Sequence, residues 1–411
     1  MAKVVEVSYY NCIILKGKSY DSLSDSKYWH IEESRIKGGF NDTSMDFGPK
    51  AHLTDPDYRE HNAQNTLIYS GLFNERTGVN ETNEFSTAQN ITKQVDSRYG
   101  SVQKLYAEDT NLTIFQEQKI SVALINKNAI FSASGGSLTT SSADFIGQIQ
   151  TYAGDYGIDK NPESFSVYAG RKYFTDKSKG VVLRLSRDGI TEISNYGMRS
   201  YFRDNLLDAT EIHTSWDAHN KSLVLTAKRS SNSFTVDFDE AINGWTSFYS
   251  YIPQGFSGSL DSSFFTFKNN DIYKHYVNNN RNSFYGEASE DSYIDMLLNE
   301  QPSASKNFNT INYEGTNSWN ITNIETDTDT ALNIAEFNAA NQDFIISAFK
   351  NIHNKYYSNI FNNTTESENE VVFGEDVSGI KGFFAKMRIQ TSSTDYKELF
   401  SVSTNYNINS Y

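Results

Sequence analysis

Residues Glu163–Ser194 read ESFSVYAGRKYFTDKSKGVVLRLSRDGITEIS, and this stretch decides the fold. Its aromatic and β-branched residues fall in runs of strand length, the composition that suits a pleated, half-buried surface. The runs are broken at AGR, DKSKG and RDG, so the stretch reads as three strands joined by tight turns. Upstream, SVQKLYAEDTNLTIFQEQKISVALINKNAIFSA holds three more strand-length runs, followed by the loop SASGGSLTTSS and a further run, DFIGQIQTYAG. Downstream, EIHTSWDAHNKSLVLTAKRSSNSFTVDFDEAINGWTSFYSY gives three or four strands. SSFFTFKNNDIYKHYV gives two, turned at KNND. Strands of about six residues with a turn signal every 8–12 or so are the pattern of sandwiches, barrels and propellers. The groups recur at roughly 40–60 residues, within the range of propeller blades.

Composition agrees. Hydrophobic residues are only 37 % of the 411-residue chain but aromatics reach 14 %, so rings do much of the burying. With Gly 24 and Pro 5, turns fall to Gly, Asn, Asp and Ser. The segment NGWTSFYSY reads as the outer strand of a blade, with Asn243-Gly244 as a tight turn and its aromatics packing between neighbouring sheets. A single helix is expected over Ile193–Asp208, capped by Ser194 or Asn195, with Met198, Tyr201, Phe202 and Leu206 on its apolar face. The chain divides into N-terminal strands and a turn-rich docking segment (1–60), a propeller-like domain (61–290) and a C-terminal β domain (291–411). In the last, FFAKMRIQ and LFSVSTNYNI read as strands of a sandwich-like fold, and NTTESENEVVFGEDVSG as a solvated loop. FNAANQDFIISAFKNIHNKYYSNIFNN fits either a helix or two strands.

Several functions are disfavoured. One cysteine, Cys12, leaves no disulfide framework and no cysteine-based zinc site. A net charge of −15 argues against a sequence-specific nucleic-acid binder but does not exclude a wall past which DNA slides, where an acidic lining would prevent sticking. The N-terminus lacks the order of a signal peptide, and nothing is long and apolar enough to insert in a membrane. There is no nucleophile elbow or phosphate-binding loop. His213 and His219 bracket Trp216 and Asp217 at an unspecific spacing. ETDTDT, with Asp327 and Asp329, lacks the Gly and Glu of a calcium loop and reads as a polar turn. No catalytic, metal or cofactor residue is assigned, and an enzyme is not expected. Two weak sets of candidates remain. Trp216, Trp245 and Trp319 are interface or glycan-stacking aromatics, and Lys172, Lys177, Lys179, Arg184 and Arg187 form a basic interface patch.

The phrases YGIDKNPESF, GVVLRLSRDGI and GWTSFYSY, with DSRYGSVQKLYAEDTNLTIFQEQKI before them, carry a resemblance. They are similar to the tail nozzle or muzzle proteins, also called tail stabilisation proteins, of short-tailed bacteriophages and of crAss-like phages in particular. The resemblance runs from about Ile31 to the C-terminal ELFSVSTNYNINSY. It implies a virion tail protein assembled in the bacterial host cytoplasm, forming a ring of six copies against tail hub or ring proteins. It also implies a propeller-like domain, complete or completed by a neighbouring chain, around a channel for genomic DNA. A receptor- or glycan-binding tail protein is the alternative.

Overall fold

The computed structural model describes the backbone of 11–16 and 29–34, then residues 62–327, 332–333, 349–360 and 379–409, with short gaps at 72, 75, 81, 84, 86–90, 109–110, 132–136 and 256. Almost everything described is strand and turn. By density of contacts the chain forms two compact units. One comprises Met1–Phe248 with Phe256–Ser259, the other Tyr249–Gly255 with Leu260–Tyr411. Among the described residues no helix is long and apolar enough to cross a membrane.

The first unit begins with two antiparallel strands, β1 (Asn11–Lys16) and β2 (Trp29–Ser34). Its body is three four-stranded antiparallel meanders in which each strand pairs with its sequence neighbour. The first meander holds β3 (Val102–Ala107), β4 (Asn111–Gln116), β5 (Ile120–Phe131) and β6 (Ser137–Thr151). The second holds β7 (Ser166–Tyr168), β8 (Arg171–Asp176), β9 (Val181–Ser186) and β10 (Gly189–Glu192). The third holds β11 (Glu211–Asp217), β12 (Ser222–Lys228), β13 (Phe234–Asp239) and β14 (Gly244–Tyr249). The turns at AGR, DKSKG and RDG all fall where expected, and the short strand β7 makes the second meander four-stranded.

The second meander is covered on both faces. In the register of β8 and β9, Phe174 lies opposite Leu183, and the next residue back, Tyr173, points the other way. Phe174, Leu183 and Leu185 share a core with Phe115, Ile120 and Ile158 of the first meander and its following loop. Tyr173 and Val182 share a core with Ile212, Leu223, Leu225, Val236 and Phe238 of the third. Tyr173 and Phe174 are both fully buried. Each such side chain contributes about 1.5–3 kcal/mol on removal from water.

Three local expectations are corrected. The expected helix over Ile193–Asp208 is a 3-10 turn at Ile193–Asn195 and then α1, Arg199–Leu206. Its N-cap is Met198, with no side-chain cap bond, because Ser194 and Asn195 are held in the preceding turn. Phe202 and Leu206 are buried as expected. The Asn243-Gly244 pair is not a two-residue turn: only Asn243 has a positive φ, 54°, and Gly244 already starts β14. The stretch LTTSS, expected as loop, is strand, the beginning of the fifteen-residue β6.

In the second unit the hairpin β15 (Ser263–Lys268) and β16 (Asp271–Lys274) turns at Asn269 and Asn270, both at positive φ (52° and 69°), as a two-residue turn demands. Beyond it lie β17 (Ser292–Leu298), β18 (Lys306–Gly315), β19 (Asn320–Thr326), β20 (Lys350–Ile352), β21 (Lys355–Asn359), β22 (Ile380–Gly382), β23 (Ala385–Thr391) and β24 (Leu399–Ile408). β23 runs between β17 and β19 in one sheet. β18 pairs with β21, β22 and β24 in another. Phe308 and Ile311 from the second sheet meet Ile321, Ile324 and Met387 from the first in a common core. The two strands expected near the C-terminus are β23 and β24, and the ambiguous stretch supplies the hairpin β20–β21. The expected solvated loop, 363–379, lies outside the described residues except for Gly379.

The loop between the first and second meanders is fixed at Gly157. A Cβ there would sit 2.1 Å from the Glu117 carbonyl oxygen. The neighbouring Ile158 and Asp159 amides donate to the carbonyls of Gln116 and Glu117 at 3.1 and 3.0 Å. Gly157→Ala is therefore expected to lose about 1–3 kcal/mol through forced backbone displacement. Gly170→Ala, at φ +76° in open space, should lose about 1 kcal/mol from the backbone conformation alone. Urea unfolding of both variants checks the order, and an equal loss would show that the Gly157 loop yields freely.

Candidate functional site

Buried polar side chains of the first unit link one meander to the next. Glu240, in the turn after β13, has a side chain only 11 % exposed. It accepts from Arg184 Nη1 at 2.7 Å and from Tyr173 Oη at 2.6 Å, and Arg171 Nη1 lies 3.5 Å away. Tyr173 and Arg184 are opposite one another in the β8–β9 register, so the pleat aims both at the third meander. On the opposite face, Lys172 Nζ donates to Glu108, in the turn between β3 and β4, and sits 5.5 Å from the centre of the Tyr106 ring.

Hydroxyls complete the joints. Thr214 Oγ1 donates to the Ser164 carbonyl at 2.6 Å, and Ser164 Oγ accepts from the Thr175 amide at 3.2 Å. Ser257 Oγ donates to Ser215 Oγ at 2.8 Å, and Ser259 Oγ to the Trp216 carbonyl at 2.6 Å. Trp216 lies flat against Tyr168, with ring centres 3.8 Å apart and planes 8° from parallel. Trp245 packs on Phe202 and Phe238 at 4.5 and 5.2 Å, and its indole N–H donates to the Ile193 carbonyl at 3.0 Å. These contacts are those of a stiff stack of sheets.

Residues 84–270 match the family model described as "Crassvirus muzzle protein", and residues 279–363 match "Crassvirus muzzle protein C-terminal domain". The chain belongs to the crassvirus muzzle protein family. The first match spans all three meanders, and the second spans β17 to β21. No curated protein matches. Solved structures similar in part include two variants of an exo-β-1,3-galactanase from Phanerochaete chrysosporium with β-1,3-galactotriose. They are 8 % and 6 % identical, with TM-scores of 0.21 and 0.20 over 84 % of this chain and 100 % of theirs, values that carry no argument.

The structure disperses the basic candidates. Lys172 and Arg184 point to opposite faces and are ion-paired. Lys179 lies 3.4 Å from Asp176 and over the Tyr156 ring, half-buried Lys177 is in the same turn, and exposed Arg187 is at the far hairpin. Burial pushes the Asp176 carboxyl up, against the pull of Lys179. Trp216 and Trp319 are buried, and the Trp319 indole N–H donates to the Glu398 carbonyl at 3.1 Å. His213 lies 3.4 Å from Glu211, and the His219 amide donates to Asp217. Asp327 Oδ1 accepts from the Phe383 amide at 2.6 Å, which makes it a turn brace; Asp329 lies outside the described residues. Among the described residues there is no cluster of three or more metal-ligating acids, histidines or cysteines. Glu240 and Glu108 gave no sequence signal beyond a turn, because their partners lie 56 to 67 residues away.

Two tests follow from this chemistry. Glu240→Gln leaves Arg184 without its counter-charge and should cost about 3 kcal/mol, the lower end for a buried pair, because Arg171 is half exposed. Adding Arg184→Met should restore part of that in a double-mutant cycle; a single-mutant loss under about 1 kcal/mol would mean the hub behaves as a surface pair. The second test is alkaline. The hydrogen bond to Glu192 and then burial push the Tyr156 hydroxyl up to about 12, and burial and then Glu240 push that of Tyr173 higher still. Both are acids with a raised folded-state value, so their contribution is whole below about pH 10, where the unfolded phenol titrates, and is lost as pH rises towards 12. Phenolate absorbance should lag and then rise together with unfolding, and Tyr173→Phe should flatten that loss; ionisation of all tyrosines near pH 10 before unfolding would contradict it.

Proposed function

We propose that this chain is a structural protein of the phage tail, forming the distal muzzle that closes and guides the DNA channel while the genome is held and then ejected. The observation that carries the reading is the family match over the stacked meanders. In this reading the three meanders are blades of a propeller-like domain, complete or completed by a neighbour, and the second unit is a sandwich-like C-terminal domain. Six copies form the ring, docked on hub or ring proteins and assembled in the host cytoplasm. The protein does no bond-making chemistry.

Charge supports this reading. The chain carries 51 acids against 36 Lys and Arg. Several of the cations, including Lys172, Arg184 and Lys228, are held in ion pairs to acids of the same chain. The residual acidity would repel a passing polyanion and keep the genome from adhering. Function then lies in rigidity, which the doubly covered second meander supplies.

Cryo-electron microscopy of intact particles tests it. The expected result is a ring of about six copies at the tail tip, with blades around an acidic, DNA-sized channel. Copies only on peripheral fibres, absence from the particle, or a channel lined mainly by Lys and Arg would overturn it.

A further inference from the structure

Strands β5 and β6 are far longer than their neighbours. β4 pairs with β5 only as far as Leu124, opposite Asn111. From Ile125 to Phe131, β5 continues with β6 as its only partner among the described residues. The register is regular from Lys127 opposite Ser141 to Phe131 opposite Ser137. Both register shifts lie nearer the base, between Ser141 and Ile149, where an irregularity re-aims a ribbon leaving its sheet. The result is a two-stranded arm extending about 20 Å past the four-stranded part at ~3.4 Å per residue.

Such an arm is incomplete. A lone two-stranded ribbon is at best marginal in water, and among the described residues no strand pairs with the backbone N–H and C=O groups along either of its outer edges. Edge strands that stay solitary are kept short or carry charge and proline. The second meander follows that rule with edges of three and four residues, β7 and β10. The arm does not. INKNAIF (Ile125–Phe131) has one charged residue, Lys127, and SLTTSSADF (Ser137–Phe145) has one, Asp144; neither contains proline.

We infer that the arm is completed by the arm of a second copy of this chain, the outer edge of β6 in one copy pairing with the outer edge of β5 in the next. Head-to-tail pairing satisfies both free edges of every arm. Two-fold pairing of β6 with β6 leaves both β5 edges bare. A heterologous contact of this kind generates a ring when the rotation closes, and a ring of hairpins closes into a barrel with no edge. The inference rests on the muzzle reading only in requiring that copies assemble.

The test uses the full chain with Cys12→Ser, made once with Ser141→Cys and once with Lys127→Cys. The two proteins are mixed, assembled and treated with a short bis-maleimide, and native mass spectrometry reads the assembly size. Expected is a several-fold excess of cross-linked dimer in the mixture over either protein alone. Preferential cross-linking of Ser141→Cys with itself shows two-fold pairing and overturns the inference. A ring without cross-links overturns it and leaves the muzzle reading standing. Cross-links without a ring on particles sink the muzzle reading alone. In a second variant, residues 127–141 are replaced by Asn-Gly. It should keep its circular dichroism and lose assembly size; unchanged assembly also counts against the arm.

Discussion

A strand covered on both faces cannot use the alternation of polar and apolar residues that marks an ordinary antiparallel strand. Tyr173 and Phe174 are adjacent, point in opposite directions, and are both buried. The first unit depends on that doubly covered second meander. It lets one sheet share a core with each neighbour, and it draws polar groups of its own strands inside as well. Thr175 and Asp176 are buried beside the two rings, and Asp176 accepts amide protons from Gly157 and Lys179. The low aliphatic content of the chain becomes intelligible here. Wide gaps between sheets are filled by rings such as Phe115, Phe165 and Phe174, which meet edge to face at 5.0 and 5.3 Å.

The polar side chains buried between the described sheets act as joints. Glu240, Glu108, Ser164, Thr214 and Ser257 each tie one meander to a segment outside it. Their bonds are side chain to side chain or side chain to backbone, so they fix rotation and sliding between sheets that apolar contact alone would leave loose. A protein holding its shape under load requires that kind of specificity.

The strands and turns of the meanders were legible because β-branched and aromatic runs and Gly, Asn and Asp turns are local signals. The hairpin at Asn269–Asn270 is of this sort. The long arm was not legible. SLTTSS is mostly polar and follows Gly135-Gly136, which reads as loop, and only the pairing with β5 makes it strand. The cap of α1 failed for a related reason, since Ser194 and Asn195 are good caps in isolation but belong to the turn before it. The Glu240 hub could not have been found, because nothing in DEAING announces an Arg and a Tyr that arrive from another sheet. Resemblance carried the functional reading where periodicity could not.

The doubly shared core also bears on how the chain folds. Each meander is built from hairpins with short connections, so its own pairings close cheaply and early. Yet the middle sheet gains its full burial only when the flanking ones are present. During synthesis, the apolar face carrying Tyr173 and Val182 waits until Leu223, Leu225 and Phe238 have emerged. A stack of this kind grows by neighbour docking, as repeat proteins do. Its most exposed moment is the interval between completion of the second meander and arrival of the third.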